Sequence, residues 1–236
     1  MSKKIDQEKK APSSWRRFLK RIIMVCFLII ALPFILVPLY IFVPPVSMLM
    51  IKDLVTLKGY ERNWVSYDEI STRAVYSIMV SEDARHCVHN GVDWIEMKKA
   101  WSSIQKGGRG RGASTITMQT VKNLFLWNSR SFIRKGLELP IALYADLFWS
   151  KRRTIEIYLN IAEWDEGVYG IDGAAQHYFN VPASKLTRRQ AALLAVTLPS
   201  PIKRNPAKPT RSLNRLAKKI IARARAASPY VGCLKS

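Results

Sequence analysis

The chain has 236 residues, room for one sizeable domain and a short extra segment but not for two large domains. Lys and Arg outnumber Asp and Glu by 38 to 17, and the formal charge of +21 calls for anionic company: nucleic acid, an anionic lipid surface or a phosphorylated substrate. Three cysteines are too few for a disulfide framework and argue against a bridge; Cys26 lies in an apolar run, leaving Cys87 and Cys233 as the sole candidate pair. No C-x-x-C, H-E-x-x-H or clustered His/Cys spacing supports a protein-built metal site.

In chain order, residues 1–21 carry Lys3, Lys4, Lys9, Lys10, Arg16, Arg17, Lys20 and Arg21 against Asp6 and Glu8, and residues 22–43 then carry no charge. That apolar run is long enough for a helix to cross the hydrocarbon core and longer than the apolar part of a signal peptide, and no small-x-small cleavage site follows it. It reads as a retained single transmembrane helix, with a buried core hairpin as the competing reading. The positive-inside rule then puts residues 1–21 in the cytoplasm and residues 44–236 on the far, periplasmic side of the cytoplasmic membrane. A nucleic-acid binder would need its basic domain on the opposite side.

Ser66-Tyr67-Asp68-Glu69 is a capping box with Val65 and Ile70 as its staple, and the helix it is expected to open turns Ile70, Ala74, Val75, Ile78 and Met79 inward. Glu82 falls on the same stripe at the C-terminal end. Burial and the negative end of the helix dipole would both raise its pKa, as suits a general base. A second box, Asp93-Trp94-Ile95-Glu96, opens a helix with an apolar stripe of Met97, Ala100, Trp101 and Ile104, stopped by Gly107.

The basic glycine loop 107–112 lacks a Walker pattern, and Ser114 is the expected N-cap of the hydroxyl-rich helix that follows. Arg130, Arg134 and Lys135 precede Glu138, and Lys151-Arg152-Arg153 leads a helix through Glu156, Tyr158 and Asn160. Thr187-Arg188-Arg189-Gln190 caps an apolar helix, residues 198–209 form a proline-rich connection, and a basic helix over 213–227 turns Leu216, Ile220 and Ile221 inward. No alternating strand pattern appears, so the fold is expected to be mainly α.

The ordered motifs resemble the peptidoglycan glycosyltransferase family, the enzymes that polymerise lipid II into glycan strands. Glu82-Asp83 with His89 and Gly91 matches its first motif, Glu-Asp-x-x-Phe-x-x-His-x-Gly, with His86 in place of the Phe. Gly112 and Ser114 through Thr117, with Gln119, Lys122 and Asn123, match the second, with Met118 in place of a Gln. Arg134-Lys135-x-x-Glu138, then Lys151 with Ile155, Glu156, Tyr158-Leu159-Asn160, then Gly173-Ala174-Ala175 with Tyr178-Phe179, match the third to fifth. The resemblance covers about residues 60–209, and the stretches 161–164 and 167–170 resemble the stand-alone form of the family, as does the lack of room after Ser236 for a transpeptidase domain.

The resemblance implies a lysozyme-like helical glycosyltransferase domain and an inverting transfer, in which a base removes the proton from the acceptor 4-hydroxyl while polyprenyl diphosphate leaves the donor. Glu82 would be the base. Glu138, the second carboxylate of the catalytic set, would organise cations or a divalent ion rather than act as an acid, because diphosphate leaves without strong protonation. Lys122, Arg130, Arg134 and Lys135 would stabilise the diphosphate. Asp83, His89, Ser114, Thr115, Thr117, Gln119 and Asn123 complete the implied substrate site.

No cofactor is built in; Mg2+ or Mn2+ would sit on the substrate diphosphate. The implied partners are lipid II, the growing strand, membrane lipids, and other cell-wall synthesis and division proteins, with no nucleic acid. Trp94, Trp101, Phe125, Leu126 and Trp127 are candidates for the membrane interface, with core packing the plainer role for each. A glycan-cutting lytic transglycosylase or muramidase on the same scaffold is the main rival, and it would have no use for Lys122, Arg134 and Lys135 together. A non-catalytic, membrane-anchored basic binding protein is the second.

Overall fold

The computed structural model describes residues 14–108, 112–129 and 131–234. Helix α1, Ser14–Leu39, begins earlier than the uncharged run, taking in Arg16, Arg17, Lys20 and Arg21, and ends before Val43. At about 1.5 Å per residue it is long enough to cross a bilayer, and its upper part is almost wholly exposed. Pro38 has no N–H to offer the Phe34 carbonyl one turn back, and that carbonyl instead accepts from Tyr144 Oη at 3.0 Å. Trp149 Nε1 donates to Val37 O at 2.8 Å, so the kink-prone end of the anchor is where the domain docks.

Helix α2, Met48–Val55, follows, and then α3, Thr72–Glu82. The Ser66–Glu69 box forms, but it closes only a 3-10 turn: Ile70 is extended and breaks the helix, and α3 starts afresh after Ser71. Val65 and Ile70 are nonetheless buried together, as a staple requires. Helix α4 is Trp94–Gln105, capped by Asp93 Oδ1, which accepts from the amides of Ile95 and Glu96. Its expected inward stripe turns in only in part: Met97 is partly buried against the core, whereas Trp101 is 60% exposed and Ile104 52% exposed.

Helices α5, Ile116–Phe125, α6, Phe132–Phe148, and α7, Lys151–Ile161, form the centre; α8, Ile171–Phe179, α9, Arg188–Thr197, and α10, Arg211–Arg225, complete the set. The N-cap of α5 is Thr115 rather than Ser114: its hydroxyl accepts from Met118 N at 3.1 Å. The α9 capping box forms as read, whereas Leu216 on α10 faces outward and Leu213, Ala217 and Ile220 carry that helix's buried face.

Three strands too short for an alternating pattern, β1 Glu61–Arg62, β2 Glu163–Asp165 and β3 Val168–Tyr169, make a small sheet in the order β1-β3-β2. β1 runs parallel to β3, and β2 antiparallel with an irregularity between Glu163 and Asp165.

Two cores result. One gathers α3, α8, α9 and α10; the other gathers the end of α1 with α2 and α6. α5 and α7 belong to both: Ile116, Ile155, Tyr158 and Leu159 face the first core, and Met118, Val121, Ile157 and Ile161 the second. The seam between the cores carries the polar residues of the first two motifs.

A disulfide joins Cys87, in the turn after α3, to Cys233 near the C-terminus, contrary to the sequence expectation. Nothing local marks the pair, because 146 residues separate them and only the packing of α10 across α3 brings them together. Closing so long a loop removes conformational entropy from the unfolded chain, and Cys87→Ser/Cys233→Ser should lose about 2–5 kcal/mol of stability. Denaturant unfolding of the oxidised chain against this variant checks it; coincident curves would mean that the bridge does not form.

Candidate active site

Glu82 is the last residue of α3, and Asp83 is its C-cap. Glu82 Oε2 accepts from Gln119 Nε2 at 3.2 Å, Glu82 Oε1 accepts from Ser81 Oγ at 3.3 Å, and Gln119 Oε1 accepts from the buried Tyr158 hydroxyl at 3.1 Å. The tyrosine therefore fixes the amide so that its NH2 faces the carboxylate. Burial pushes the Glu82 pKa up, opposed in part by the hydrogen bonds from Gln119 and Ser81 and by the charge of Arg204. A half-buried carboxylate held by one amide is a sound base once deprotonated.

Asp83 turns away from the cleft and becomes a hub. Its Oδ2 accepts from Ile116 N, the first residue of α5, at 3.0 Å, and its carboxylate meets His89 Nε2 at 3.0–3.1 Å and His86 Nδ1 at 3.3 Å. Burial raises its pKa, but the hydrogen bonds and charges of the two histidines outweigh that and hold it well below the usual carboxylate range. The ligand-type atoms of Asp83, His86 and His89 lie within 4.8 Å of one another, the spacing of a cation cluster. Because Asp83 is already engaged from three sides, we read the set as a closed hydrogen-bond network.

The motif's glycine has a steric reason. Gly91 has φ of +74°, and a Cβ there would stand 2.5 Å from the Ala142 carbonyl oxygen. This close approach lets the Gly91 carbonyl accept from Thr115 Oγ1 at 2.6 Å, tying the first motif to the second.

The cations form a separate wall. Glu138 is buried and paired with Arg134 and with Lys135, whose Nζ lies 2.9 Å from Glu138 Oε2 and also donates to Ser114 Oγ at 2.8 Å. Glu138 is thus an anchor for cations and not an acid facing substrate. Its two oxygens are both taken, so a divalent ion would have to rely on substrate oxygens. Burial, then the neighbouring charges of Arg134 and Lys122, push the Lys135 pKa down to about 8. Burial and Arg134 also lower Lys122, which has no hydrogen-bond or ion-pair partner among the described residues.

One pocket is lined by Glu82, Asp83, Arg85, Ser114, Thr115 and Arg223. A second, lined by Lys52, Lys122, Asn123, Leu126 and Trp127 with Met48 of α2, opens beside the anchor. Thus Glu82, Ser114, Thr115 and Gln119 come together, Lys122 with Asn123 lies around the corner, and Arg134, Lys135 and Glu138 stand as a group. Asp83 and His89 are buried scaffolding. Thr117 does not face the cleft: it is fully buried and supports α5 from inside. Arg130 lies outside the described residues, as do Arg109 and Arg111 of the glycine loop.

Sequence reading missed Lys52, Arg204 and Arg223. They sit outside the motifs: the packing of α2 brings Lys52 to one pocket, that of α10 brings Arg223 to the other, and the segment after α9 brings the charge of Arg204 to bear on Glu82.

A half-buried carboxylate and a separate group of partly buried cations stand on a helical domain that follows an apolar helix long enough to cross a membrane. The chain belongs to the transglycosylase family, whose model matches residues 50–225. It is 58% identical over 222 residues to the biosynthetic peptidoglycan transglycosylase of Agrobacterium fabrum, covering 93% of this chain and 98% of that protein. It is 57% identical over 221 residues to the protein of the same description from Rhizobium leguminosarum bv. trifolii, covering 93% and 95%. With that of Brucella suis biovar 1 it shares 57% identity over 194 residues, covering 82% and 87%.

Because Lys135 loses its charge as pH rises past about 8, binding of a polyprenyl diphosphate should weaken above that pH, by up to about tenfold if that single cation dominates. Lys135→Arg, which stays charged, should keep its affinity there. Equilibrium titration at several pH values checks this, and parallel loss in both proteins would remove Lys135 from the diphosphate site.

Proposed function

We infer that this protein is a peptidoglycan glycosyltransferase that polymerises lipid II into β-1,4-linked glycan strands with inversion and release of polyprenyl diphosphate. The observation that carries the reading is the pairing of one half-buried, amide-held carboxylate, Glu82, with the separate cation group of Lys135, Arg134 and Lys122. A glycan-cutting enzyme needs an acid to protonate a sugar leaving group and a water as nucleophile. Here diphosphate leaves as an anion, so cations replace the acid, and a sugar hydroxyl replaces the water.

In this mechanism Glu82 accepts the proton of the acceptor 4-hydroxyl as its oxygen attacks the anomeric carbon from the face opposite the diphosphate. Tyr158 and Gln119 hold the carboxylate in place during attack. Negative charge grows on the leaving diphosphate, where Lys135, Arg134 and Lys122 meet it in a site that partly excludes water. Substrate oxygens would hold a divalent cation such as Mg2+, which would supply further neutralisation of that charge. Lys52, on α2 next to the anchor, adds a cation to the Lys122 pocket, whose Met48, Leu126 and Trp127 suit the first isoprene units of the lipid.

The anchor α1 keeps the domain where a polyprenyl substrate resides, and Arg153 fastens the chain leaving it by donating to Tyr40 O and Val43 O. The oxidised pair Cys87–Cys233 supports placing the catalytic domain on the periplasmic side, since such bridges persist in oxidising compartments. The exposed Trp94, Ile95, Trp101 and Ile104 of α4, with Phe132 and Ile133 at the start of α6, suit the bilayer interface, as does Trp127. Leu126 is buried at the lining of the Lys122 pocket and Phe125 stacks on Tyr40, so neither is placed at the bilayer interface.

Glu82→Gln should reduce polymerisation of labelled lipid II by about a thousandfold, the middle of the range for loss of a general base, with the circular dichroism spectrum unchanged. Near-normal turnover would sink the base assignment, and shortening of added glycan by the unaltered chain would favour the lytic reading. Lys52→Ala and Lys122→Ala should each raise KM for lipid II several-fold, as loss of a charge-assisted contact implies. Unchanged kinetics would take either residue out of the site.

A further inference from the structure

His86 stands where the family motif has a phenyl ring, and it is fully buried. Its surroundings are not those of a packing residue. Nδ1 faces Asp83 Oδ2 at 3.3 Å, and Nε2 faces the Lys151 carbonyl oxygen at 3.2 Å. A carbonyl only accepts hydrogen bonds, and so does an ionised carboxylate that is already taking bonds from Ile116 N and His89 Nε2. Neither neutral tautomer satisfies both contacts. Either form sets a nitrogen lone pair against an oxygen lone pair in a buried site, at the cost of an unmade hydrogen bond.

We propose that His86 is a positioning residue that carries both ring protons in the working enzyme, and that this buried imidazolium locks Asp83 and, through it, the catalytic Glu82. The link is short. Asp83 follows Glu82 directly and holds the first amide of α5, and Gln119, one turn further along α5, donates to Glu82. Loss of one proton leaves the other on Nδ1, facing the carboxylate, so Asp83 then meets a neutral donor in place of a cation and its hold on the start of α5 weakens.

The other charged groups around the ring do not replace that proton. His89, from the same turn, uses Nε2 on Asp83, and its Nδ1 has no partner among the described residues. Lys151, from α7, is held by the His89 carbonyl and by Asp146 of α6, and Arg85 is held by Asp93. The lock therefore weakens as pH rises, opposite in sign to protonation of Glu82, which stops the base as pH falls.

The inference rests on Glu82 being the base, but its first test needs no activity. The chain has three histidines, so 15N-histidine labelling of the full protein in detergent gives three ring systems; His86→Phe, which follows the family pattern, and His177→Gln assign them. At neutral pH the His86 ring should show two protonated nitrogens without bound metal, and its titration should shift the Ile116 amide in step. A neutral ring, a stoichiometric metal on the cluster, or an Ile116 amide blind to the titration would overturn the proposal.

The second test is the kcat profile in a Lys135→Arg background, where the diphosphate cation stays charged. With His86 present the rate should fall about tenfold per pH unit on the alkaline side, as for loss of one proton, and with His86→Phe that limb should vanish. Superimposable profiles would leave His86 as packing alone. Should the Lys135→Arg background give no measurable rate, the ring-nitrogen titration decides by itself.

Discussion

The carboxylate of Asp83 is the point on which the catalytic geometry depends. It ends α3, starts α5 through the Ile116 amide and closes the intervening turn through His86 and His89. A buried carboxylate survives only with compensating donors, and the donors here are the very elements that must be kept in register. Release of Asp83 would free a charge into a site built to exclude water. The helices on either side would separate, and with them Glu82 and Gln119.

Around that hub the two halves of the reaction are divided spatially. In the proposed mechanism proton removal falls to the seam between α3, α5 and α7, where burial raises the Glu82 pKa and Tyr158 orients the amide that holds it. The same mechanism assigns charge stabilisation to α6 and the end of α5, where Glu138 holds Arg134 and Lys135 side by side despite their repulsion. The division suits a transfer in which the hydroxyl arrives on one face of the sugar and the diphosphate departs from the other. The anchor bears on the second half through α2, which lines the Lys122 pocket with Met48, Leu49 and Lys52 and shares a core with the end of α1.

Much of this was legible in the sequence because the signals are local. The uncharged run, the caps of Asp93 and Thr187 and the inward stripe of α3 each follow from a few neighbouring residues, and the order of motifs placed Glu82 and the cations. Misreadings arose where tertiary packing decided. The stripe on α4 has the period of a buried face but packs on the core only at Met97, and a surface suited to lipid has the same pattern as one suited to a core. The box at Ser66 satisfies its local hydrogen bonds and still gives one turn, because Ile70 extends into the core. Cys87 and Cys233 meet only once α10 lies across α3. Thr117 sits among motif residues that face the cleft, yet the helical period turns it inward.

The central claim is that the acceptor hydroxyl reaches Glu82 while the donor diphosphate lies on the Lys135 wall. A structure of the full chain with an unreactive lipid II analogue in each subsite tests it most directly. The account predicts the acceptor 4-oxygen within hydrogen-bond reach of Glu82, about 2.6–3.2 Å or through one water, and diphosphate oxygens on Lys135 and Arg134. A hydroxyl held by another carboxylate, or a diphosphate bound away from those cations, would contradict it.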